Sequence, residues 1–284
     1  MQAVIQTSYG APEELLAKTC HSVRWYAAQN GKHKMANFSA DAGRADISQR
    51  KVALTAALGL LGMAVLAPLA LFGVLNTLVD TGNPTATVGN IIESEGVFRL
   101  AIGAFLVVTF LDVLMAWALY VLLRPVNATL AMLVGWLRLA AAAAFLPALA
   151  NLLDVAQLLG GPVASTLPAA VVEAQVMSSI ASFHNGWDIE LAVFGLHLLG
   201  VGVLVYKSVQ FPRILGVLVV IAGVGYLADT FTRILIPDFT FTFSLFTFVG
   251  EALLIVAFFY RAIRGFGDEP VAVPSGAAIP VAAI

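Results

Sequence analysis

The stretch VFRLAIGAFLVVTFLDVLMAWALYVLL, at residues 97–123, decides the fold class of this chain. A helix needs ~20 mostly apolar residues to cross the ~30 Å hydrocarbon layer of a bilayer. This stretch exceeds that length and contains two charged residues, Arg99 and Asp112. Five other apolar stretches are long enough to cross, at residues 52–79, 129–159, 187–206, 214–234 and 241–263. The sequence therefore predicts an all-α, polytopic membrane bundle of about six transmembrane helices.

The composition agrees with lipid as the main solvent. Charged residues make up 11% of the chain, whereas about 25% of the residues in a soluble domain are charged. The formal net charge of −2 gives no reason to expect a nucleic-acid partner. Cys20 is the single cysteine, so no disulfide can form within this sequence. We expect an integral protein of the bacterial inner membrane, with the lipid bilayer as its partner.

Basic residues mark every second connection between the apolar stretches. Lys and Arg residues precede the first stretch, lie in the second and fourth connections, and follow the sixth stretch. The connections at 80–96 and 160–186 contain no Lys or Arg. Because basic loops stay on the cytoplasmic side of a membrane, this alternation predicts that both termini are cytoplasmic.

The segments that flank the bundle are predicted to be separate units. Residues 1–51 form a cytoplasmic N-terminal extension, and residues 264–284, rich in Pro, Ala, Val and Gly, form a disordered cytoplasmic tail. The opening MQAVIQTSYGAPEELL resembles the first strand of medium-chain alcohol dehydrogenases and quinone reductases. No nucleotide-binding glycine motif follows it, so residues 1–34 are expected to be a relic or a start-site artefact. The alternative is a cytoplasmic helix over about 12–29 at the membrane surface.

Ionisable side chains inside the apolar stretches are the candidate site, because a charge at mid-membrane costs at least ~2.5–3.5 kcal/mol on insertion scales. Asp112 and Arg138 are almost equally far from the centre of the hairpin near Val126. Since a helix rises 1.5 Å per residue, both side chains should lie at one depth and form an ion pair. His197 and Glu251 lie about halfway along their own stretches.

The other candidates fall in the predicted outer half of the bundle. They are Arg99, Asp154, His184, Asp188, Asp229 and Arg233. Asp229 and Arg233 are four residues apart on one helix face and are predicted to pair. His184, Asp188 and His197 offer metal-ligand side chains, but helix geometry puts His197 on a different face from Asp188. We therefore expect no metal site and no other cofactor.

Two interpretations of these residues stay open. In the structural interpretation, buried pairs fix the register of the helices, and His197 is a hydrogen-bonded core residue. In the functional interpretation, Asp112, Arg138, His197 and Glu251 line the floor of a polar cavity that opens to the outside. Ionisable groups at mid-membrane depth suit proton relay or substrate binding.

Five motifs carry a family resemblance: SEGVFRL (94–100), LDVLMAWALYVLLRPVN (111–127), LAVFGLHLLGVGVLVYKS (191–208), FPRILGVLVVIAGVGYLADTFTRILIPDF (211–239) and GEALLIVAFF (250–259). Over about 51–264 the chain resembles a bacterial membrane family labelled domain of unknown function 4386. The resemblance implies a compact bundle of about six helices and no agreed activity. The polar residues within its motifs are Arg99, Asp112, His197, Asp229, Arg233 and Glu251. Glu190 stands where the family pattern has a small residue.

The expected function is binding or moving a small solute or protons through an outer-facing polar cavity. One alternative is a membrane-embedded enzyme acting on a lipid or small substrate, although the apolar stretches show no clear serine–histidine or multi-histidine motif. The other is a non-catalytic accessory or scaffold subunit whose charges are purely architectural. The sequence leaves the ligand, the presence of enzymatic activity and the oligomeric state open.

Overall fold

The computed structural model describes residues 48–236 and 241–266, and the regular elements in them are all helices. Within these residues six helical spans are long and apolar enough to cross a membrane. Spans 1 to 6 are, in order, Gln49–Leu78, Glu95–Leu123, Ala128–Gly160, Ala169–Lys207, Arg213–Leu235 and Ser244–Arg264. The predicted all-α membrane bundle is thus confirmed. The predictions for residues 1–47 and 267–284 lie outside the described residues.

Two of the spans change helical geometry along their length. Span 1 is α-helical over Gln49–Pro68, π-helical over Leu69–Leu75 and α-helical again over Asn76–Leu78. The widened segment begins directly after Pro68, which has no N–H to donate and crowds the preceding turn. Span 6 consists of Ser244–Thr247 and Val249–Arg264.

Span 4 is the main departure from the sequence prediction. It begins at Ala169 instead of near residue 187, so much of the predicted loop at 160–186 is helix. Its extra turns mix polar residues with a buried apolar stripe formed by Val172, Val176, Ile180 and Phe183. This spacing of three or four residues places the stripe on one helix face. A hydropathy average over the whole segment also counts the polar residues on the other faces, so it does not reveal the apolar stripe.

The remaining connections are short or partly helical. The connection before span 2 contains the helix Pro84–Glu93, whose first turn is capped by the Asn83 side chain accepting from Ala86 N at 3.0 Å. A single 3-10 turn, Ala164–Thr166, joins spans 3 and 4. Four residues between spans 2 and 3 and five between spans 4 and 5 hold those pairs antiparallel.

The six spans form a closed ring in chain order. Each span packs against the next one, and span 6 returns to pack against span 1. At that closure the Arg50 side chain donates to the carbonyls of Ala262 and Ile263. One end of the ring, which we term the basic end, carries Arg50, Lys51, Arg124, Lys207, Arg213, Arg261 and Arg264. The other, the acidic end, carries Asp80, Glu93, Glu95 and Glu173.

Spans 4 and 5 are held together by facing glycines. A Cβ atom at Gly216 would lie 2.5 Å from the Tyr206 nitrogen and 2.7 Å from the Gly202 carbonyl oxygen. A Cβ at Gly195 would similarly lie 2.8 Å from the Gly223 oxygen. Because these obstacles are backbone atoms, only glycine allows such a close approach of the two helices.

Two apolar cores fill the interior. The first core lies at the basic end and draws buried residues from all six spans, among them Ala53, Leu119, Val134, Val201, Val219 and Phe258. The second core lies at the acidic end and includes Leu75, Ile91, Phe105, Leu152 and Phe183. Its buried members come from spans 1–4 and the helix Pro84–Glu93; within the described residues none comes from span 5 or 6.

Candidate functional site

An ion pair between spans 2 and 3 lies in the middle of the bundle. Nη2 of Arg138 is 2.6 Å from Oδ1 of Asp112, and the two side chains are 3% and 15% exposed. The pair confirms the prediction made from their equal distance to the hairpin. Since a buried charge without a partner is costly, this contact accounts for both residues being tolerated at that depth.

Arg138 also contacts spans 1 and 4. Its Nη1 lies 3.3 Å from Nε2 of His197, and its Nη2 lies 3.4 Å from the sulfur of Met63. The guanidinium carbon is 4.9 Å from the centre of the Phe194 ring, a cation–π distance. One donor, Nε, has no hydrogen-bond partner among the described residues. Arg138 therefore links four of the six spans.

The surroundings of His197 define its tautomer. The ring is fully buried, and its Nδ1 lies 2.8 Å from the carbonyl oxygen of Val134. A carbonyl can only accept, so the proton is on Nδ1, and Nε2 can accept from Arg138. Phe194 stacks on the imidazole at 5.6 Å between centroids. His197 therefore contacts Nη1 of Arg138, whereas Asp112 contacts Nη2.

Spans 4, 5 and 6 contribute a second group of polar side chains. The Tyr226 side chain lies near the Glu251 carboxyl group. Oε1 of Glu251 is buried without a hydrogen-bond partner among the described residues. Glu190 lies within electrostatic range of Asp112, Arg138 and Glu251. This group holds two carboxyl groups and no cation of its own.

We term the whole arrangement the central cluster: Asp112, Arg138, Glu190, His197, Tyr226 and Glu251. It takes one or two residues from each of spans 2 to 6, and Met63 adds a contact from span 1. Glu190 is not among the site residues predicted from the sequence. Its seven-residue spacing from His197, two helical turns, was the signal that could have included it.

Access to the central cluster differs between its members. Arg138 and His197 are buried, whereas Asp112, Glu190, Tyr226 and Glu251 keep partly exposed surface although they lie inside the ring. The first core, with residues from all six spans, closes the basic side of the central cluster. The second core, at the acidic end, has no buried member from span 5 or span 6 among the described residues.

The predicted Asp229–Arg233 pair is wrong. Nη1 of Arg233 instead lies 2.5 Å from Oδ1 of Asp188 on span 4. Asp229 is buried and accepts from the backbone N–H groups of Phe243 at 2.5 Å and Ser244 at 2.9 Å. Backbone N–H groups at the start of a helix are a better partner for a buried carboxylate than an exposed guanidinium on the same helix as that carboxylate.

The other candidates lie apart from the central cluster. His184 is close to the Asp188–Arg233 pair and packs against Phe183 with 5.4 Å between ring centroids. Arg99 pairs with Glu95 at 2.7 Å and donates to the Ala156 carbonyl at 3.0 Å. The Asp154 side chain is exposed. Among the described residues, no group of three or more His, Cys, Asp or Glu is arranged to hold a metal ion.

Comparison with known proteins places the chain in a family. Residues 55–259 match the model described as "Domain of unknown function (DUF4386)", and the chain belongs to this family. It is 33% identical over 164 residues to an uncharacterized protein of Archaeoglobus fulgidus, an alignment that covers 58% of this chain and 82% of the relative. No solved structure matches the chain. The region that matches the family model, residues 55–259, contains the whole central cluster.

Proposed function

We propose that this member of the DUF4386 family binds a proton or a small cationic solute at the central cluster, entering from the acidic end. The observation that carries the proposal is the imbalance of charge inside the ring. Three carboxyl groups, those of Asp112, Glu190 and Glu251, share one guanidinium. After Asp112 pairs with Arg138, the other two have no cation of their own.

An uncompensated carboxylate is costly in a low-dielectric interior, by several kcal/mol even after relaxation. A group in that position takes up a proton or a cation instead. Glu251 is the better candidate, because Oε1 is buried without a partner in the described part of the chain. The Tyr226 side chain lies near the same carboxyl group.

The packing of the two cores supports entry from the acidic end. The first core blocks the basic side with residues from every span, whereas the second core is built without spans 5 and 6. Carboxylates such as Asp80, Glu93 and Glu173 favour cations over anions near the entrance. Among the described residues, the two cations at that end, Arg99 and Arg233, are already paired with Glu95 and Asp188. With both termini in the cytoplasm, as the distribution of basic residues predicts, this entrance faces the outside of the cell.

The architectural alternative is supported by one half of the central cluster. Arg138 contacts both Asp112 and His197 directly, and all three side chains are mostly buried, as a register-fixing network would be. An enzyme would need a nucleophile or a metal beside a base, and no member of the central cluster is Ser, Thr or Cys. The proposal therefore rests on Glu190, Tyr226 and Glu251.

Infrared spectroscopy of the full-length protein in nanodiscs tests the proposal. We expect the carbonyl band of a protonated carboxylic acid in the wild type, and we expect Glu251→Gln to remove or weaken it. Asp154→Asn, which changes an exposed carboxyl group, is the matched control and should leave the band unchanged. A wild-type spectrum without this band in neutral and acidic buffer, and unaltered by methylammonium, contradicts the proposal.

Reconstitution in liposomes distinguishes binding from movement. Proton influx driven by a potassium diffusion potential, above that of empty liposomes and reduced by Glu251→Gln, would indicate conduction. Loss of the carboxylic-acid band on adding methylammonium would identify a small cation as the ligand that replaces the proton.

A further inference from the structure

We propose that the turn between spans 4 and 5 binds the phosphate group of an anionic membrane phospholipid. A cavity of about 520 Å³ lies at this turn, at the basic end of the bundle. We term it the headgroup pocket, and it is lined by Tyr206, Lys207, Ser208, Val209, Phe211 and Arg213. Its volume lies within the ~300–1,000 Å³ typical of small-molecule sites.

Two cations flank the headgroup pocket. Lys207 is the last residue of span 4, and Arg213 is the first residue of span 5. Both side chains are exposed, and neither forms an ion pair within the described residues. The Arg213 guanidinium lies 5.8 Å from the centre of the Tyr206 ring, a cation–π distance, and both residues line the pocket. Paired Lys and Arg side chains of this kind favour phosphate.

The polar floor of the pocket adds hydrogen-bond donors. Ser208 is 7% exposed, and its Oγ accepts from the Gln210 N–H at 3.1 Å, so its own hydroxyl hydrogen can be donated. The N-terminus of span 5, which begins after Pro212, also points backbone N–H groups toward this turn. These donors add to the two cationic side chains.

The surroundings raise the positive charge further. Arg261 of span 6 lies 5.8 Å from the centres of both the Phe211 and Tyr260 rings. No Asp or Glu of the described residues lies in the helix ends or turns of the basic end. An anionic ligand at this turn would therefore meet cations without a competing carboxylate.

The apolar side chains around the pocket point to a lipid as the source of the phosphate. Val209 is 82% exposed, Ile214 is 63% exposed and Tyr206 is 45% exposed. At the end of a membrane span these side chains lie at the level where the acyl chains of a lipid begin. Free phosphate uses only the polar part of the site, whereas a phospholipid uses both parts.

Native mass spectrometry of the full chain in detergent tests this proposal, with phosphatidylglycerol, phosphatidylcholine and inorganic phosphate as probes. We expect phosphatidylglycerol to bind at least about tenfold more tightly than phosphatidylcholine, since each basic residue at the membrane surface adds to the affinity for anionic lipid. The double variant Lys207→Gln/Arg213→Gln should lose about tenfold in phosphatidylglycerol affinity. The matched control, Lys51→Gln/Arg264→Gln, removes two charges from the same end and should lose less than twofold.

Equal affinity for the two lipids, or an equal loss in the two double variants, overturns the proposal. Inorganic phosphate that displaces phosphatidylglycerol at comparable concentration would assign the site to free phosphate and overturn the lipid assignment. Acetylation of Lys207 gives a second measurement that needs no variant. Phosphatidylglycerol, but not phosphatidylcholine, should slow it relative to acetylation of Lys51, and equal rates with both lipids would contradict the proposal.

Discussion

Replacing Arg138 by methionine isolates the energetic role of the buried ion pair. Methionine keeps an unbranched apolar side chain of similar length, so the main loss is the charge and its contacts. The change removes the contact to Asp112 at 2.6 Å and the interaction with His197 at 3.3 Å. It also removes the single guanidinium that faces Glu190. Three carboxyl groups then remain inside the ring without a fixed cation.

The expected loss in the free energy of unfolding is ~3–5 kcal/mol, the usual cost of removing one partner of a buried pair. The pair on the surface gives the matched control. The side chains of Arg99 and Glu95 are 44% and 47% exposed, so Glu95→Gln should cost about 1 kcal/mol or less. The double variant Asp112→Leu/Arg138→Met should be more stable than Arg138→Met alone, because it removes one uncompensated carboxylate.

Reversible unfolding in mixed micelles, driven by dodecyl sulfate and followed by tryptophan fluorescence, measures these differences. A double-mutant cycle over Asp112 and Arg138 gives the coupling energy of the pair. A loss below about 1 kcal/mol for Arg138→Met would refute the reasoning. So would a double variant whose loss equals the sum of the two single losses, because the two side chains would then not interact.

Two further changes test the packing of spans 4, 5 and 6. Gly216→Ala should lower the free energy of unfolding by ~1–3 kcal/mol, because the added Cβ would overlap backbone atoms of span 4. The control Gly103→Ala, where a Cβ would have no atom within 4 Å, should be neutral or slightly stabilising. Equal effects of the two changes would contradict the close approach of spans 4 and 5. Asp229→Ala should lower the free energy of unfolding by ~1–2 kcal/mol, because it removes the acceptor for the backbone N–H groups of Phe243 and Ser244. Amide hydrogen exchange at those two residues should accelerate. Unchanged exchange would show that the Asp229 carboxylate does not stabilise the start of span 6.

The fold was predictable from sequence because the length and hydropathy of a span are set by the bilayer. Spans 2, 3 and 5 begin and end within two residues of their predicted bounds. The start of span 4 was not predictable in this way, since its first turns carry residues such as Glu173 and Asn185 beside the buried stripe. Such a segment is helical because one of its faces is buried. A hydropathy average over both faces does not detect that apolar face.

The site was predictable from the sequence only where a short connection joins the two helices that carry the interacting side chains. The four-residue hairpin fixes the relative depth of spans 2 and 3, and the Asp112–Arg138 pair follows from it. The partner of Arg233 could not be predicted, because spacing along one helix says nothing about Asp188 on the neighbouring span. The closure of the ring between spans 6 and 1 likewise depends on contacts between distant parts of the sequence.

The two halves of the central cluster are supported by different parts of the fold, and this predicts where the bundle opens. Asp112 and Arg138 belong to spans 2 and 3, which contribute buried residues to both cores. Tyr226 and Glu251 belong to spans 5 and 6, which contribute buried residues to the first core only. Regions with fewer buried apolar contacts open at lower free energy. We therefore expect faster amide hydrogen exchange in the acidic-end halves of spans 5 and 6 than in those of spans 2 and 3.

Hydrogen exchange of the protein in nanodiscs, read by mass spectrometry, measures this difference directly. Occupancy of the Glu251 carboxyl group by a proton or a cation should slow exchange in spans 5 and 6 and leave spans 2 and 3 unchanged, since the Asp112–Arg138 pair is already complete. The matched comparison is the wild type against Glu251→Gln. Equal exchange in both pairs of spans would mean that the second core does not control opening, and that a ligand reaches the central cluster by another route.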